Sequence, residues 1–364
     1  MRELARRELD EIEESVPRAS SPAVRLDCNE SPFDLPPALK ELALRRIREL
    51  SFNRYPEAAA LAVRDQIALG AGVTPGQVVL GNGLDEVILM ILLAFGTGKR
   101  SVIPVPSFSG YRISSILAGA DVVGVPLTPW LDIDLDRIIE EARREPGLVF
   151  LCSPHNPTGR LAPAGAVEIL LRDTKSLIVV DEAYGDFSGT TCLPLVEKHD
   201  RLVVLRTFSK ALGLAGIRLG YAVAGRETAS WLSRARQPYN VSSLSLAVAG
   251  VVLGNTGFVH ETVSRVVSER ERLFQALMAV PGVVPFPSSA NFILFRTPRP
   301  AWEVDEGLRR RGVAVRVFPG ERSLSGCLRV TVGTPAEDDA FLDALGRLMV
   351  NEDQRAIIGG GCHA

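Results

Sequence analysis

An α/β fold is what the sequence predicts, an open sheet followed by a smaller C-terminal lobe, and three observations predict it. Short apolar runs, each bounded by turn-forming residues, recur at Gln77–Leu80, Ser101–Val105, Leu148–Cys152, Ser176–Val180 and Arg201–Leu205. Continuous runs of this length read as strands buried on both faces. Helical stretches separate them, the alternation that builds strand–helix–strand units. Finally, polar or glycine-rich clusters follow the carboxyl ends of run after run, where open α/β sheets place their ligands.

Size and charge narrow the function. At 364 residues the chain can bury two sizeable lobes. Hydrophobic residues make up 46% and charged residues 23%, the balance of a globular enzyme. A net charge of −2, with no cluster of Lys or Arg, leaves no basic field for nucleic acid. The opening Met1–Glu8 mixes acids and bases and lacks the apolar segment of a signal peptide. The longest uncharged apolar run, Val87–Phe95, is too short to span a bilayer. A cytoplasmic protein without membrane partners is the expectation. Cys28, Cys152, Cys192, Cys327 and Cys362 are scattered without Cys-x-x-Cys spacing, which argues against a disulfide framework or a metal site.

Taken in order, residues 1–24 read as a charged amphipathic arm ending at Pro17 and Pro22. Leu26–Phe33, with Asn29 and Glu30 before Pro32, reads as a fixed loop leading into a helix at Ala38–Leu50. Asn53-Arg54-Tyr55-Pro56 is a second loop that sets an aromatic against a rigid proline. After the strand at Gln77–Leu80, Gly81–Glu86 turns into an apolar helix through Phe95. Such a turn exposes unpaired N–H groups where an anion is favoured, although Asp85 and Glu86 also suit the helix dipole by themselves. Phe108 follows the next strand, where an aromatic either covers a flat ligand or closes the core. A helix and strand over Ile113–Pro126 and a helix over Asp136–Arg144 come next. The strand Leu148–Cys152 runs into Ser153-Pro154-His155-Asn156-Pro157-Thr158-Gly159, whose prolines hold Asn156 rigidly. No second histidine lies nearby in sequence, so His155 reads as a supporting residue.

Ser176–Val180 ends in Asp181-Glu182-Ala183-Tyr184, and an acid directly after buried apolar residues must be paired. Val203–Leu205 opens the stretch on which the chain turns. It continues Arg206-Thr207-Phe208-Ser209-Lys210, then Gly213 to Arg218. Lysines are few (Lys40, Lys99, Lys175, Lys198, Lys210), and only Lys210 stands in such an apolar loop, where desolvation lowers an ammonium's pKa. That suits a Schiff-base nucleophile, and equally a lysine that snorkels outward. A long helical stretch from Ser242 to about Leu277 connects to the smaller lobe. There Val283–Phe286, Asn291–Phe295, Val313–Val317 and Leu328–Val332 read as strands, with a helix at Ala301–Arg311. Arg316 and Arg329 stand inside apolar strands, either on a solvated face or set to grip an anion. Asn351–Ala364 reads as a flexible tail.

Together these motifs resemble the class II, fold-type-I pyridoxal-phosphate aminotransferases, and among them most resemble the histidinol-phosphate aminotransferases. The carrying motifs are Asn29-Glu30-Ser31-Pro32, Arg54-Tyr55-Pro56, Gly83–Glu86, Asn156–Gly159, Asp181–Tyr184, Ser209-Lys210 with Gly213–Arg218, and Ser325–Gly333. The resemblance spans about residues 25 to 350. It implies a large domain with a mostly parallel seven-stranded sheet over residues 46–255. A small α+β domain over 256–350 and an arm over 1–45 that contributes to it complete the expected division, with the tail beyond. It implies that Lys210 forms the Schiff base and carries the proton, with Asp181 and Tyr184 as its catalytic companions. Asp181 would pair with the ring nitrogen, Asn156 and Tyr184 with the phenolic oxygen, and Phe108 with the ring face. Gly83, Leu84, Asp85, Thr207, Ser209 and Arg218 would hold the phosphate, and Tyr55 would reach the partner subunit's phosphate in a homodimer. Asn29 and Glu30 would line the entrance, and Arg316 and Arg329 would bind the substrate's anionic end.

The implied reaction is transamination of L-histidinol phosphate with 2-oxoglutarate. Phe33 departs from the pattern, standing where many members have a tyrosine whose hydroxyl contacts the substrate phosphate. An aromatic or broad-specificity aminotransferase and a threonine-phosphate decarboxylase stay open as alternatives, as does a binding protein that has kept the fold, although a pure binder needs no Schiff-base amine.

Overall fold

The computed structural model describes residues 6–12 and 22–359, with the backbone alone over 351–359. Within the expected arm, a short 3-10 turn at Arg7–Glu11 and the start of a strand at Val24 are described, and Glu11 pairs with Arg112 at 2.7 Å. Pro17, with the rest of the arm over 13–21, and the last residues over 360–364 lie outside the described residues.

The chain enters the fold as β1 (Val24–Arg25), then α1 (Pro37–Arg48) and α2 (Leu61–Ala71). The large sheet begins with β2 (Val78–Gly81), α3 (Leu84–Phe95), β3 (Arg100–Val105), α4 (Ser109–Ala118) and β4 (Asp121–Pro126). It continues through α5 (Leu135–Arg144), β5 (Leu148–Cys152), α6 (Ala166–Asp173), β6 (Leu177–Asp181), α7 (Gly185–Ser188), β7 (Leu202–Thr207) and β8 (Gly220–Ala224). The seven strands lie in the order β2-β8-β7-β6-β5-β3-β4, and β8 alone is antiparallel to its neighbours. Period-2 burial explains the continuous apolar runs. Leu148 and Phe150 pack with α3 and α4 on one face, whereas Val149 and Leu151 pack with α5 and α6 on the other.

Then follow α8 (Arg226–Ala235), α9 (Ser243–Leu253) and α10 (Gly257–Met278). The long helix expected over 242–277 is therefore two helices bent by 83°. Gly254, Asn255 and Thr256 interrupt it, and the Asn255 side chain bonds back to the Val251 carbonyl at 2.8 Å. Among the described residues no single helix is long and apolar enough to cross a membrane.

The smaller lobe holds β9 (Val284–Pro285), β10 (Phe292–Arg296), α11 (Ala301–Arg310), β11 (Val313–Ala314), β12 (Arg316–Val317), β13 (Cys327–Thr331) and α12 (Pro335–Gly359). The strand expected over 313–317 is divided between two sheets. β11 pairs in parallel with β1, and β12 joins the antiparallel order β12-β13-β10-β9. The tail expected from Asn351 is helical as far as Gly359, since no proline or glycine interrupts residues 351–358. One core gathers Leu26, Phe292, Phe295, Leu328 and Phe341 in this lobe. A separate core joins Ala43 of α1 to Val63, Phe208 and Val248, so α1 packs with the large sheet's helices.

Candidate active site

Parallel pairing brings the carboxyl ends of β5, β6 and β7 into one row, with Cys152 opposite Asp181 and Asp181 opposite Leu205. The loops that leave these strands carry Asn156, Tyr184 and Lys210. Asp181 is 3% exposed. One of its carboxylate oxygens accepts from the Ala183 N–H at 2.9 Å and the other from the Tyr111 hydroxyl at 2.5 Å. Burial pushes this carboxyl up to about 6.

Tyr184 Oη accepts from Asn29 Nδ2 at 3.0 Å and from Asn156 Nδ2 at 3.4 Å. Asn156 Oδ1 in turn accepts from Arg329 at 2.6 Å, and a second nitrogen of Arg329 donates to the Asp27 carbonyl at 2.9 Å. Lys210 Nζ donates to the Cys28 carbonyl at 3.0 Å and lies 5.8 Å from the centre of the Tyr184 ring. Its pKa falls to about 8, chiefly through burial and then through the nearby Arg329 cation. Thus Lys210, Asn156, Tyr184 and Arg329 form one cluster, although they lie far apart in sequence.

A second group lies where β2 turns into α3. Gly83 has φ 82°, and a Cβ there would meet Arg218 at 2.6 Å. A Cβ on Gly220 would meet the Leu84 nitrogen at 2.7 Å, so β8 and the start of α3 are in close approach. Arg218 bonds Asp85 at 3.2 Å across the turn. Thr207, paired with Gly220 in the ladder, accepts from the Ser209 N–H at 3.1 Å. Phe108 precedes α4 and meets Tyr111 edge-on at 5.4 Å.

Arg316 and Arg329 are direct cross-strand partners on β12 and β13. Like charges so placed repel, and Arg316 helps lower the Arg329 pKa while the carboxylate of Asp27 acts in the opposite direction. Arg329 is 7% exposed and its Nε is buried without a partner.

Asn29 differs from the entrance position expected of it. It is 1% exposed, locked by Thr331 Oγ1 on its N–H at 2.9 Å and by Asn291 on its carbonyl at 3.1 Å. Glu30, partly exposed, lies 3.5 Å from Arg25. Tyr55 joins none of these hydrogen bonds; it is 81% exposed and stacks on Tyr239 at 4.7 Å. His155 is buried and bonded to Thr158 Oγ1 at 3.0 Å, and burial lowers its pKa to about 4, so it is neutral packing. Phe33 lies under the Arg265 guanidinium, 4.1 Å from its ring centre.

Sequence reasoning missed two features. Tyr111 lies one helical turn beyond Phe108, a spacing that signals a shared face. The Glu182–Arg206 pair, 2.8 Å apart, joins the residue that follows β6 to β7 and left no local signal.

The family model described as aminotransferase class I and II matches residues 21–345. A histidinol-phosphate aminotransferase of Thermococcus gammatolerans is 41% identical over 322 residues, covering 88% of this chain and 91% of the relative. Another, of Aquifex aeolicus, is 40% identical over 340 residues, covering 93% of this chain and 96% of the relative. Among solved structures, histidinol-phosphate aminotransferase from Sinorhizobium meliloti, in complex with pyridoxal-5'-phosphate, superposes with a TM-score of 0.82 at 24% identity. That match covers 91% of this chain and 92% of the other. With the family model spanning nearly the whole chain and such relatives matched along most of their own length, the chain belongs to the class I and II aminotransferases.

Proposed function

We propose that this aminotransferase uses pyridoxal 5'-phosphate to move the amino group of L-histidinol phosphate onto 2-oxoglutarate, giving imidazole acetol phosphate and L-glutamate in histidine biosynthesis. The observation that carries this reading is the carboxyl end of the central strands, where an amine of lowered pKa stands close to Arg329, a buried guanidinium with no carboxylate ion-pair partner among the described residues. The names of the relatives 41% and 40% identical to the chain support the choice of donor.

The residues present fit the cofactor. Gly83 and Gly220 let Arg218 and β8 come close to the start of α3, whose N–H groups at Leu84 and Asp85 would hold the phosphate. Thr207, Ser209 and Arg218 complete that grip. Asp181, held by only two donors, has lone pairs left for a ring nitrogen. Asn156 and Tyr184 would hold the phenolic oxygen, and Phe108 would cover a face of the ring. When bound, the cofactor supplies an electron sink for the C–H bond broken beside the substrate's amine.

The chain's own residues do the rest. Lys210, whose charged form burial disfavours, takes the proton from that carbon and returns it. Arg329 holds the carboxylate of glutamate, and together with Arg316 it holds the phosphate of histidinol phosphate. Asn29 fixes Tyr184 from behind, and Glu30 borders the site. Exposed on its loop, Tyr55 is assigned to the partner's phosphate, so the active unit is a homodimer. Phe33 offers no hydroxyl to a phosphate, which favours an aromatic amino acid as the second-choice donor.

The test is to mix the cofactor-loaded protein separately with histidinol phosphate, phenylalanine and threonine phosphate and follow the visible absorbance of the cofactor. Histidinol phosphate should convert it fastest; an inert response to that donor alone overturns the substrate. Lys210→Ala should abolish turnover, and unchanged turnover would overturn the chemistry. Mass in solution should be that of a dimer, and a fully active monomer would remove Tyr55 from the site.

A further inference from the structure

We propose that Tyr111 is a positioning residue that clamps the Asp181 carboxylate and the Phe108 ring into one rigid seat for the cofactor's ring. The inference rests on the reading above, in which Asp181 meets the ring nitrogen and Phe108 the ring face. Tyr111 itself touches neither substrate nor phosphate in that reading.

Three contacts carry it. Tyr111 is completely buried on α4 and stacks on Phe150 at 4.9 Å with planes 20° apart. Its ring meets Phe108 edge-on at 5.4 Å. Its hydroxyl donates to Asp181 Oδ2 at 2.5 Å, the short distance of a bond to a charged acceptor. A buried tyrosine that needed only a partner has many carbonyls to choose from; this one takes the carboxylate at the end of the central strand. Because Ala183 N–H fills the other oxygen, the carboxylate is held in one plane. Phe150, beneath, keeps the phenol from rotating away.

The electrostatics agree in direction. Burial and the nearby Asp85 and Glu182, themselves paired with Arg218 and Arg206, disfavour a charge on Asp181, whereas the Tyr111 hydroxyl and the Ala183 N–H favour it. Burial raises the phenol's pKa well above its ordinary value, so Tyr111 keeps its proton and is always the donor. Donation to the charged form favours that form, and an ionised Asp181 is what a protonated ring nitrogen requires.

Tyr111→Phe removes one oxygen and keeps the stacking. The cofactor-free variant should bind pyridoxal phosphate about tenfold or more weakly, read by fluorescence titration. Its affinity should begin to fall at a higher pH than that of the unaltered chain as the solution is acidified. Identical affinity and identical pH dependence would overturn the proposal. In an Asp181→Asn background the same substitution should cost little further, whereas an equal penalty in both backgrounds would reduce Tyr111 to packing and overturn it too. If Tyr111→Phe does not fold, 3-fluorotyrosine at position 111, a stronger donor of nearly the same shape, should tighten binding, and unchanged affinity would again overturn it. Failure of the unaltered chain to bind the cofactor would overturn the functional reading and this inference with it, which separates that failure from a failure of Tyr111 alone.

Discussion

Lys210 is a side chain placed against its own stability. Burial lowers its pKa from 10.5 to about 8, so below pH 8 the folded protein carries a disfavoured ammonium that the unfolded chain solvates freely. Between about 8 and 10.5 the folded state sheds that proton while the unfolded state keeps it, and the cost disappears. Lys210→Met should therefore abolish transamination yet raise the stability of the cofactor-free protein by roughly 1–3 kcal/mol near pH 7. The gain should close as pH rises through that window, as thermal melts across pH will measure. A variant less stable than its parent at neutral pH would contradict this account of Lys210. The same displacement from the apolar background made the residue legible. Lys210, Asp181 and Arg329 each interrupt or end an apolar run and Asn156 stands in a loop fixed by prolines, so their types and places were readable before any partner was known. Their partners were not. Asn29 reaches Tyr184 across 155 positions and Tyr111 reaches Asp181 across 70, and no local pattern encodes such distances.

At the scale of elements, the site depends on how closely β8 lies against the turn into α3. Gly220 is the point of contact, and a methyl group there would collide with backbone atoms of Leu84, which cannot move as a side chain does. Gly220→Ala should push the start of α3 away from Arg218 and weaken cofactor binding by about tenfold or more, with a stability loss of roughly 1–3 kcal/mol. Cofactor titration and denaturant melts check the two effects separately. On the neighbouring strands, Arg206 is 13% exposed in its side chain and Glu182 3%, and Thr191 adds a 2.8 Å bond to the same carboxylate. Arg206→Met would strand a buried charge and should cost about 3–5 kcal/mol in chemical denaturation. The central strands were legible because burial on both faces makes them continuously apolar. β8 was not separated from the lysine loop, since Gly220 carries that loop's glycine pattern into it and its apolar run, Tyr221–Ala224, is short and made mostly of small residues. The break between α9 and α10 and the division of β11 from β12 depend on which partner each half meets, and local pattern carries no such information.

Across the whole molecule, one short segment ties the core of the smaller lobe to the site. The Leu26 N–H donates to the Ala314 carbonyl at 2.9 Å, and its own carbonyl accepts from the Thr331 N–H at 2.8 Å. Its side chain, 2% exposed, lies among the core residues of the smaller lobe. The next three residues go directly to the site: the Asp27 carbonyl to Arg329, the Cys28 carbonyl to Lys210, and Asn29 to Tyr184. The order of motifs gave the large sheet and the smaller lobe, but this segment read as an ordinary loop before a helix. Its role exists only once β1 pairs with β11, more than 280 positions later. Leu26→Ala should therefore have two effects from one cavity. Loss of packing should cost about 2–4 kcal/mol in denaturant melts, as for other leucines truncated in a tight core. Loosening of the strap should also weaken cofactor binding and shift the titration of Lys210 toward its ordinary value, although no atom removed touches the site. Measuring both in the same variant decides the point. A destabilised protein with unchanged cofactor affinity would mean that the site is held by the large sheet alone, and that Asp27, Cys28 and Asn29 follow its geometry instead of setting it.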